Sequence, residues 1–462
     1  MITAGTGPGR GRRRGRRGSY QGAVGMPAPA GAVRAAAAVS ALAVAAVFAA
    51  GCSSASPPAT GSLHFASVKA SDVPAPDPAA QAAAVAGLNS FGLALYRQLG
   101  SGDGNLVFSP QTLDEVLTMI LPGAKGETES QLAAMLGYSG LDPAAAAYAL
   151  GAVEAASLSR ASADGETLTG SDALWTQQGI NLQSAYLNVM AGAFDAGVWQ
   201  TDFEHDASGA TNAINQQVSQ ATHGLIPSLF PQGVIDGSTR LVLTSASYFK
   251  APWTEAFDPD DTINGPFTKS TGGSVQVPMM NRTTSFKYAA GTGWQAVELP
   301  YGTGGKLAMD IILPASAAPG SLAALRSGLT ADELGQITGA LRGHSVNLSL
   351  PRFTVTSSQD SLNDQLEQLG ATAMFGPHAD LSGLFANDKE QLQVTDVLQK
   401  AYIQVGEKGT TAAAAAGAAI GSSAVAVPQN TVNLTVDHPF VYLIRDTVSG
   451  QVFYLGQVGD PS

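Results

Sequence analysis

The most constraining stretch of this chain is a run of very small residues near its C-terminus, VGEKGTTAAAAAGAAIGSSAVAVP from Val405 to Pro428. No charged residue occurs from Gly409 to Val436, and almost every side chain from Gly409 to Ala419 is tiny. Two ordinary readings exist: an Ala/Gly-rich linker, or a short helix, since Ala is the best helix former. The flanks favour a third. Ala401-Tyr-Ile-Gln-Val405 before the run is strand-like, and Thr431–Val436 after it alternates apolar with polar residues as a strand does. His438–Arg445 and Gln451–Val458 are apolar runs around a Thr-Val-Ser-Gly turn. The run is therefore expected to be a long exposed loop between two pieces of core sheet. A loop of that length inside a compact domain usually serves function.

Such a loop combines two properties. Exposed and uncharged, it can be offered to a protease as an extended substrate. Its first half can also become a strand, with Thr410, Ala412, Ala414, Ala416, Ala418 and Ile420 on one face. Only the last is bulky, so this strand could slip between two others without a clash. The stretch resembles the reactive-centre loop of the serpins, whose insertion into a sheet is a known switching transition. The residues matching the family's hinge are Glu407, Lys408, Gly409, Thr410 and the alanines Ala412, Ala414 and Ala416 with their neighbours.

Other segments carry the same resemblance from about Pro78 to the C-terminus. Ala80–Leu99 has helical spacing, with Leu88, Phe91, Leu95 and Leu99 along one face. In Asn105-Leu-Val-Phe-Ser-Pro110, a Ser cap followed by Pro at the first helical turn marks a helix start. Gly-Ala-Lys-Gly at 123–126 follows at the family's distance, and Gly126–Leu136 matches its next helix. Leu168–Trp175 and Arg240–Lys250 read as strands of a central sheet, and Ser184–Ala196 and Ala210–Thr222 as helices, the latter resembling the family's helix over that sheet. Ala246-Ser-Tyr-Phe-Lys-Ala-Pro-Trp253 resembles a serpin motif ending in Trp, which would place Trp253 where the loop enters the sheet. The most specific single motif is Leu434-Thr-Val-Asp-His-Pro-Phe-Val-Tyr-Leu-Ile444. The resemblance implies an α+β serpin fold, about nine helices around three β-sheets, with an exposed reactive-centre loop.

It also implies a mechanism. A target serine protease would attack the loop as substrate and form a covalent acyl complex through its own serine. The cut loop would then insert into the central sheet, drag the protease along and distort its active site. Family spacing counted from Glu407 places the reactive bond at Ser423–Ala424. Counting back from Phe440 places it at Val425–Ala426, because this loop is about two residues longer than usual. All four residues are small or short aliphatic, which implies elastase-like or subtilisin-like targets rather than trypsin-like ones. Two departures concern the region where the sheet opens. Ser245 stands eight residues before Trp253 where Asn is usual, and Gln399 stands where His is usual. The pair could still hydrogen-bond, with Ser109 and Thr112. A third departure is Thr411, where Glu is common; its side chain is expected to face solvent. A non-inhibitory serpin acting as a surface binding protein or plain substrate, and an inhibitor of cysteine proteases, remain as alternatives.

The chain's 462 residues suffice for a large core, and its single Cys excludes a disulfide framework. The net charge of −12 would become −19 without the first 51 residues, which hold seven Arg and no acid. That argues against a nucleic-acid partner. Those residues read as a signal peptide: six Arg between Arg10 and Arg17, a 16-residue apolar run from Ala35 to Ala50, then small residues before Cys52. Cys52 resembles the lipidated residue of a bacterial lipoprotein, which implies export and an anchor on the outer face of the cell membrane. Residues 52–77 read as a Ser/Pro/Ala-rich tether, and 78–462 as one serpin domain, expected to be monomeric. An enzyme is not expected: no Gly-x-Ser-x-Gly elbow and no His-Glu-x-x-His helix occur, and the six His share no ligand spacing. No cofactor or metal is expected either. His438 lies in the C-terminal signature and is expected to be structural.

Overall fold

The computed structural model describes residues 61–69, 73–75, 77–100, 102, 104–170, 172–357, 361–386, 392–410 and 430–462. The chain opens with β1 (Ser62–His64), inside the stretch expected to be a tether. Helix α1 (Pro78–Leu99) starts where Asp77 accepts from Ala79 N–H and proline fills the first turn. Strand β2 (Leu106–Phe108) leads to α2 (Pro110–Ile120), capped by the Ser109 hydroxyl on Thr112 N–H. Then come α3 (Gly126–Met135), α4 (Pro143–Ala163), β3 (Thr167–Gly170), β4 (Ala173–Gln177), α5 (Ser184–Phe194), β5 (Val198–Thr201) and α6 (Ala207–Ala221). The single strand expected over Leu168–Trp175 is thus two, β3 and β4, both on β6 (Leu241–Pro252).

The second half is mostly strand: β7 (Ile263–Thr268), β8 (Ser274–Gly291), β9 (Trp294–Pro300) and β10 (Leu307–Pro314). Helices α7 (Ser321–Gly328) and α8 (Ala331–Ala340) precede β11 (Arg342–Pro351), β12 (Phe353–Thr356) and α9 (Asn363–Gln368). The chain ends with β13 (Asp396–Gly406), β14 (Gly409–Thr410), β15 (Val432–Thr435), β16 (Phe440–Asp446) and β17 (Val452–Val458).

Nine α-helices among the described residues surround two hydrogen-bonded ladders. The first runs β1-β5-β4-β6-β14-β13-β12. The second runs β15-β11-β8-β9-β10-β16-β17-β2, with β7 on β8. Three sheets were expected and two are found, because 18-residue β8 changes partners without a break. It pairs β7 over Ser274–Met279, β11 over Met279–Tyr288 and β9 over Lys287–Gly291.

Strand β6 is almost wholly buried because both of its faces are covered. On one side α6 sets Ile214 and Val218 against Val242, Ala246 and Leu398. On the other, Phe249 and Ala251 join Tyr301, Ile403 and Tyr442 in a cluster between the two ladders. The apolar runs after the loop become β16 and β17, buried at every position.

Candidate functional site

The site is the junction of β6, β13 and the start of the loop. Strands β6 and β13 pair directly, in parallel, from Val242↔Asp396 to Ser247↔Ala401. Beyond Ala401 they part, and β14 lies between them. Thr410 sits opposite Val405 and Ala251, Gly409 opposite Gly406 and Pro252, and both ladders are antiparallel. The central strands are thus closed at one end and already open at the other, with the first two loop residues seated in the opening.

A set of hydrogen bonds and one ring stack hold the hinge there. Trp253 donates its indole N–H to Gly406 C=O at 2.8 Å and its backbone N–H to Lys408 C=O at 3.0 Å. Its ring stacks on Tyr301 with centroids 4.5 Å apart and 10° between planes. The Tyr301 hydroxyl meets Thr410 Oγ1 at 2.5 Å, where both are fully buried. Glu407 takes a hydrogen bond from Thr262 at 2.7 Å and one from Arg352 Nε at 2.5 Å. Burial pushes the Glu407 carboxyl up, and the bonds from Arg352 and Thr262 outweigh it, holding the carboxyl below its ordinary range. Gly409 has φ +144°, and a Cβ there would lie 2.0 Å from the Ala251 carbonyl oxygen, so only glycine fits.

Lower in the same sheet, four polar residues meet where β6 and β13 are still paired. The Gln399 amide donates to Ser109 C=O at 2.9 Å, to Thr112 Oγ1 at 2.8 Å and to Ser245 Oγ at 3.2 Å. Its Oε1 accepts from Ser109 N–H at 2.9 Å. Ser245 donates to Thr112 Oγ1 at 2.8 Å. All four residues are buried. The structure therefore brings Ser109, Thr112, Ser245 and Gln399 into one network tying α2 to both central strands. A net 0.5–1.5 kcal/mol per bond is typical, and leaving a buried partner unmet costs about 1–3 kcal/mol.

Glu407, Gly409, Thr410 and Trp253 gather at the open end of the sheet. Ala412, Ala414, Ala416, the bonds Ser423–Ala424 and Val425–Ala426, and Cys52 lie outside the described residues. His438 is buried and structural in its contacts, bonding Asp437 at 2.8 Å and Pro314 C=O at 2.9 Å. Sequence reasoning missed Tyr301, Arg352 and Thr262 as hinge partners, because they lie 55 or more residues from Glu407 and Thr410 in the chain.

A large sheet whose two central strands part to seat Gly409 and Thr410 between them is the feature that the comparisons place in a class of proteins, the protease inhibitors. A family model described as Serpin (serine protease inhibitor) matches residues 86–461. The chain belongs to the serpin family. Iripin-5 of Ixodes ricinus is 34% identical over 377 residues, covering 80% of this chain and 93% of that protein. Leukocyte elastase inhibitor A of Mus musculus is 33% identical over 380 residues, covering 80% of this chain and 97% of that protein. The crystal structure of native protease nexin-1 with heparin superposes with a TM-score of 0.72 at 28% identity, over 83% of this chain and 100% of that one. Maspin superposes with a TM-score of 0.74 at 22% identity, a likeness of fold.

Proposed function

We propose that this serpin is a suicide-substrate inhibitor of serine proteases that cleave after small residues, trapping the acyl-enzyme by inserting its cut loop between β6 and β13. The observation that carries the reading is the register of β14. Continued past Thr410, the same two ladders set Ala412 opposite Ile403 and Phe249, Ala414 opposite Ala401 and Ser247, and Ala416 opposite Gln399 and Ser245. The register is self-consistent, since Gln399 and Ser245 already face each other in the closed sheet. Residues directly opposite in a ladder share a face. The small loop side chains would therefore enter the buried side of the sheet, where only small ones fit. Insertion replaces one parallel ladder by two antiparallel ones, and parallel pairing is slightly the weaker per residue. That gain is a source of energy for the trap.

The same register ends with Ile420 opposite Leu241 at the start of β6. A bond at 423–424 would leave three residues as tether, about 10 Å extended, and one at 425–426 would leave five, about 17 Å. The shorter tether presses the protease harder against the sheet end, which favours Ser423–Ala424. Small residues at either bond suit a shallow primary pocket, in keeping with a relative named for leukocyte elastase. The chain acts outside the cell as a monomer, held on the membrane through a lipid on Cys52.

The test mixes the protein with pancreatic-type elastase, subtilisin, trypsin and papain. A complex with elastase or subtilisin that survives boiling in SDS, with a released peptide starting at Ala424, is expected. Trypsin trapped better than elastase would refute the specificity, and cleavage of the loop by all four without any complex would refute inhibition. A released peptide starting at Ala426 would move the reactive bond.

A further inference from the structure

Glu166 stands between the end of α4 and the start of β3, held inward by its backbone N–H on Ala161 C=O at 3.0 Å. Only 4% of the residue is exposed, and neither of its carboxyl oxygens has a hydrogen-bond partner. A buried carboxylate is ordinarily paired, hydrogen-bonded or bound to a metal. The neutral acid fares little better, because its hydroxyl hydrogen then lacks an acceptor as well. Arg160, on the last turn of α4, is taken by Asp446. The position therefore calls for a positive ligand from outside the chain.

What faces this carboxyl is oxygen. The turn 301–306 between β9 and β10 closes over it, with Gly302 at φ +60°. A Cβ at Gly302 would lie 2.9 Å from Glu166 Oε1, 2.9 Å from the Asp164 carbonyl oxygen and 3.0 Å from Asp164 Cγ. Two carboxyl groups and a carbonyl thus converge on one point, and glycine keeps a side chain out of it. The same turn orients Asp164: the Thr303 hydroxyl and the Gly304 N–H each donate to its Oδ1 at 2.7 Å. Asp164 is also the C-cap of α4, so the negative end of the helix dipole points the same way. Burial, with the charges of Asp164 and Asp446 next, raises Glu166 to about 8, a penalty that a bound cation would remove.

The donor set selects the cation. Among the described residues no three His, Cys, Asp or Glu side chains gather as metal ligands. The donors here are two carboxylates and a main-chain carbonyl, with no nitrogen or sulfur for zinc. Magnesium demands a near-ideal octahedron, whereas calcium takes carboxylate, carbonyl and water oxygens in a flexible shell.

We propose that Glu166, together with the carbonyl and carboxylate of Asp164, forms a calcium site beside the seat of the loop. The ion fastens the turn 301–306 to the junction of α4 and β3. That turn begins at Tyr301, whose hydroxyl holds Thr410 at 2.5 Å, and its Gly302 N–H donates to Pro252 C=O at 2.9 Å. On the other side, Thr167 pairs Lys250, one residue before the Ala251 that faces Thr410. Calcium thus braces the two segments that flank the open end of the sheet. Its binding does not depend on whether the loop inserts.

The test strips the full chain with a chelator and titrates calcium chloride back at constant ionic strength. Calorimetry should count one calcium lost on Glu166→Gln, with a Kd on the order of 10⁻⁴–10⁻³ M, the range of extracellular calcium modules. At ten times the Kd the ratio of folded to unfolded protein should rise about elevenfold, read as a higher melting temperature. Glu166→Gln should melt near the wild type in chelator and gain nothing from calcium. Asp164→Asn keeps an oxygen for Thr303 and Gly304, should weaken the response, and decides the matter if Glu166→Gln does not fold. An unchanged wild-type melt, a rise that sodium chloride of equal ionic strength reproduces, or a full wild-type response in either variant would overturn the site. Elastase cleavage of the loop with and without calcium keeps the two ideas apart: no gain in melting temperature on cleavage sinks insertion and leaves the calcium site standing.

Discussion

At the scale of single residues, Gly409 is the position where the hinge tolerates no side chain. Its φ of +144° and the Ala251 carbonyl 2.0 Å from any Cβ combine backbone strain with a main-chain clash that cannot relax cheaply. Gly409→Ala should cost about 1–3 kcal/mol. It should also unseat Thr410 from Tyr301. The expected outcome is a lower melting temperature for the intact protein and a larger share of protease that cleaves the loop and escapes. An unchanged melt would mean that the seated hinge contributes nothing. The sequence offered this glycine as part of a family pattern, but not the reason for it, because the clash is with a strand more than 150 residues earlier.

At the scale of elements, α2, β6 and β13 are bound at one point by Gln399. Sequence comparison made Gln399 and Ser245 a cause for concern, since neither is the usual family residue. In the structure their four-residue network is complete, with Gln399 supplying both donors and an acceptor. Gln399→Leu strands the buried Ser109 N–H, while Ser109 C=O keeps the bond from Leu113 N–H at 3.3 Å. Urea unfolding of the intact protein should weaken by roughly 1–3 kcal/mol. The loop-cleaved form should weaken less, because its inserted strand separates β13 from β6. Equal losses in the two forms would show that Gln399 does not bear on sheet opening. The strand and helix content around this point was legible from periodicity, but the break of Leu168–Trp175 into β3 and β4 was not.

At the scale of the whole molecule, the first ladder has one edge at β5 that the N-terminal stretch covers. The segment expected to be a free tether contributes β1, paired antiparallel as Ser62↔Gln200 to His64↔Val198. An uncovered strand edge recruits whatever backbone can pair with it, and a Ser/Pro/Ala-rich segment held nearby by the chain is such a backbone. All three β1 residues are exposed, so its excision should cost little stability, within about 0.5 kcal/mol. Deleting residues 53–66 should instead raise self-association, seen as concentration-dependent larger species on size exclusion. A monomer of unchanged behaviour would mean the β5 edge needs no cover.

The sequence by itself determined the family, the order of helices and strands, and the loop whose small side chains can enter a sheet. These are local properties: periodicity, caps at Ser109 and Asp77, and a charge-free run of alanines. The tertiary structure alone decided which strands grip the loop, that the hinge is seated at Thr410 and in what register. It also joined Ser109, Thr112, Ser245 and Gln399 into the network that closes the sheet. Those facts depend on contacts between segments distant in the chain, and no spacing along the sequence encodes a distance across a folded sheet.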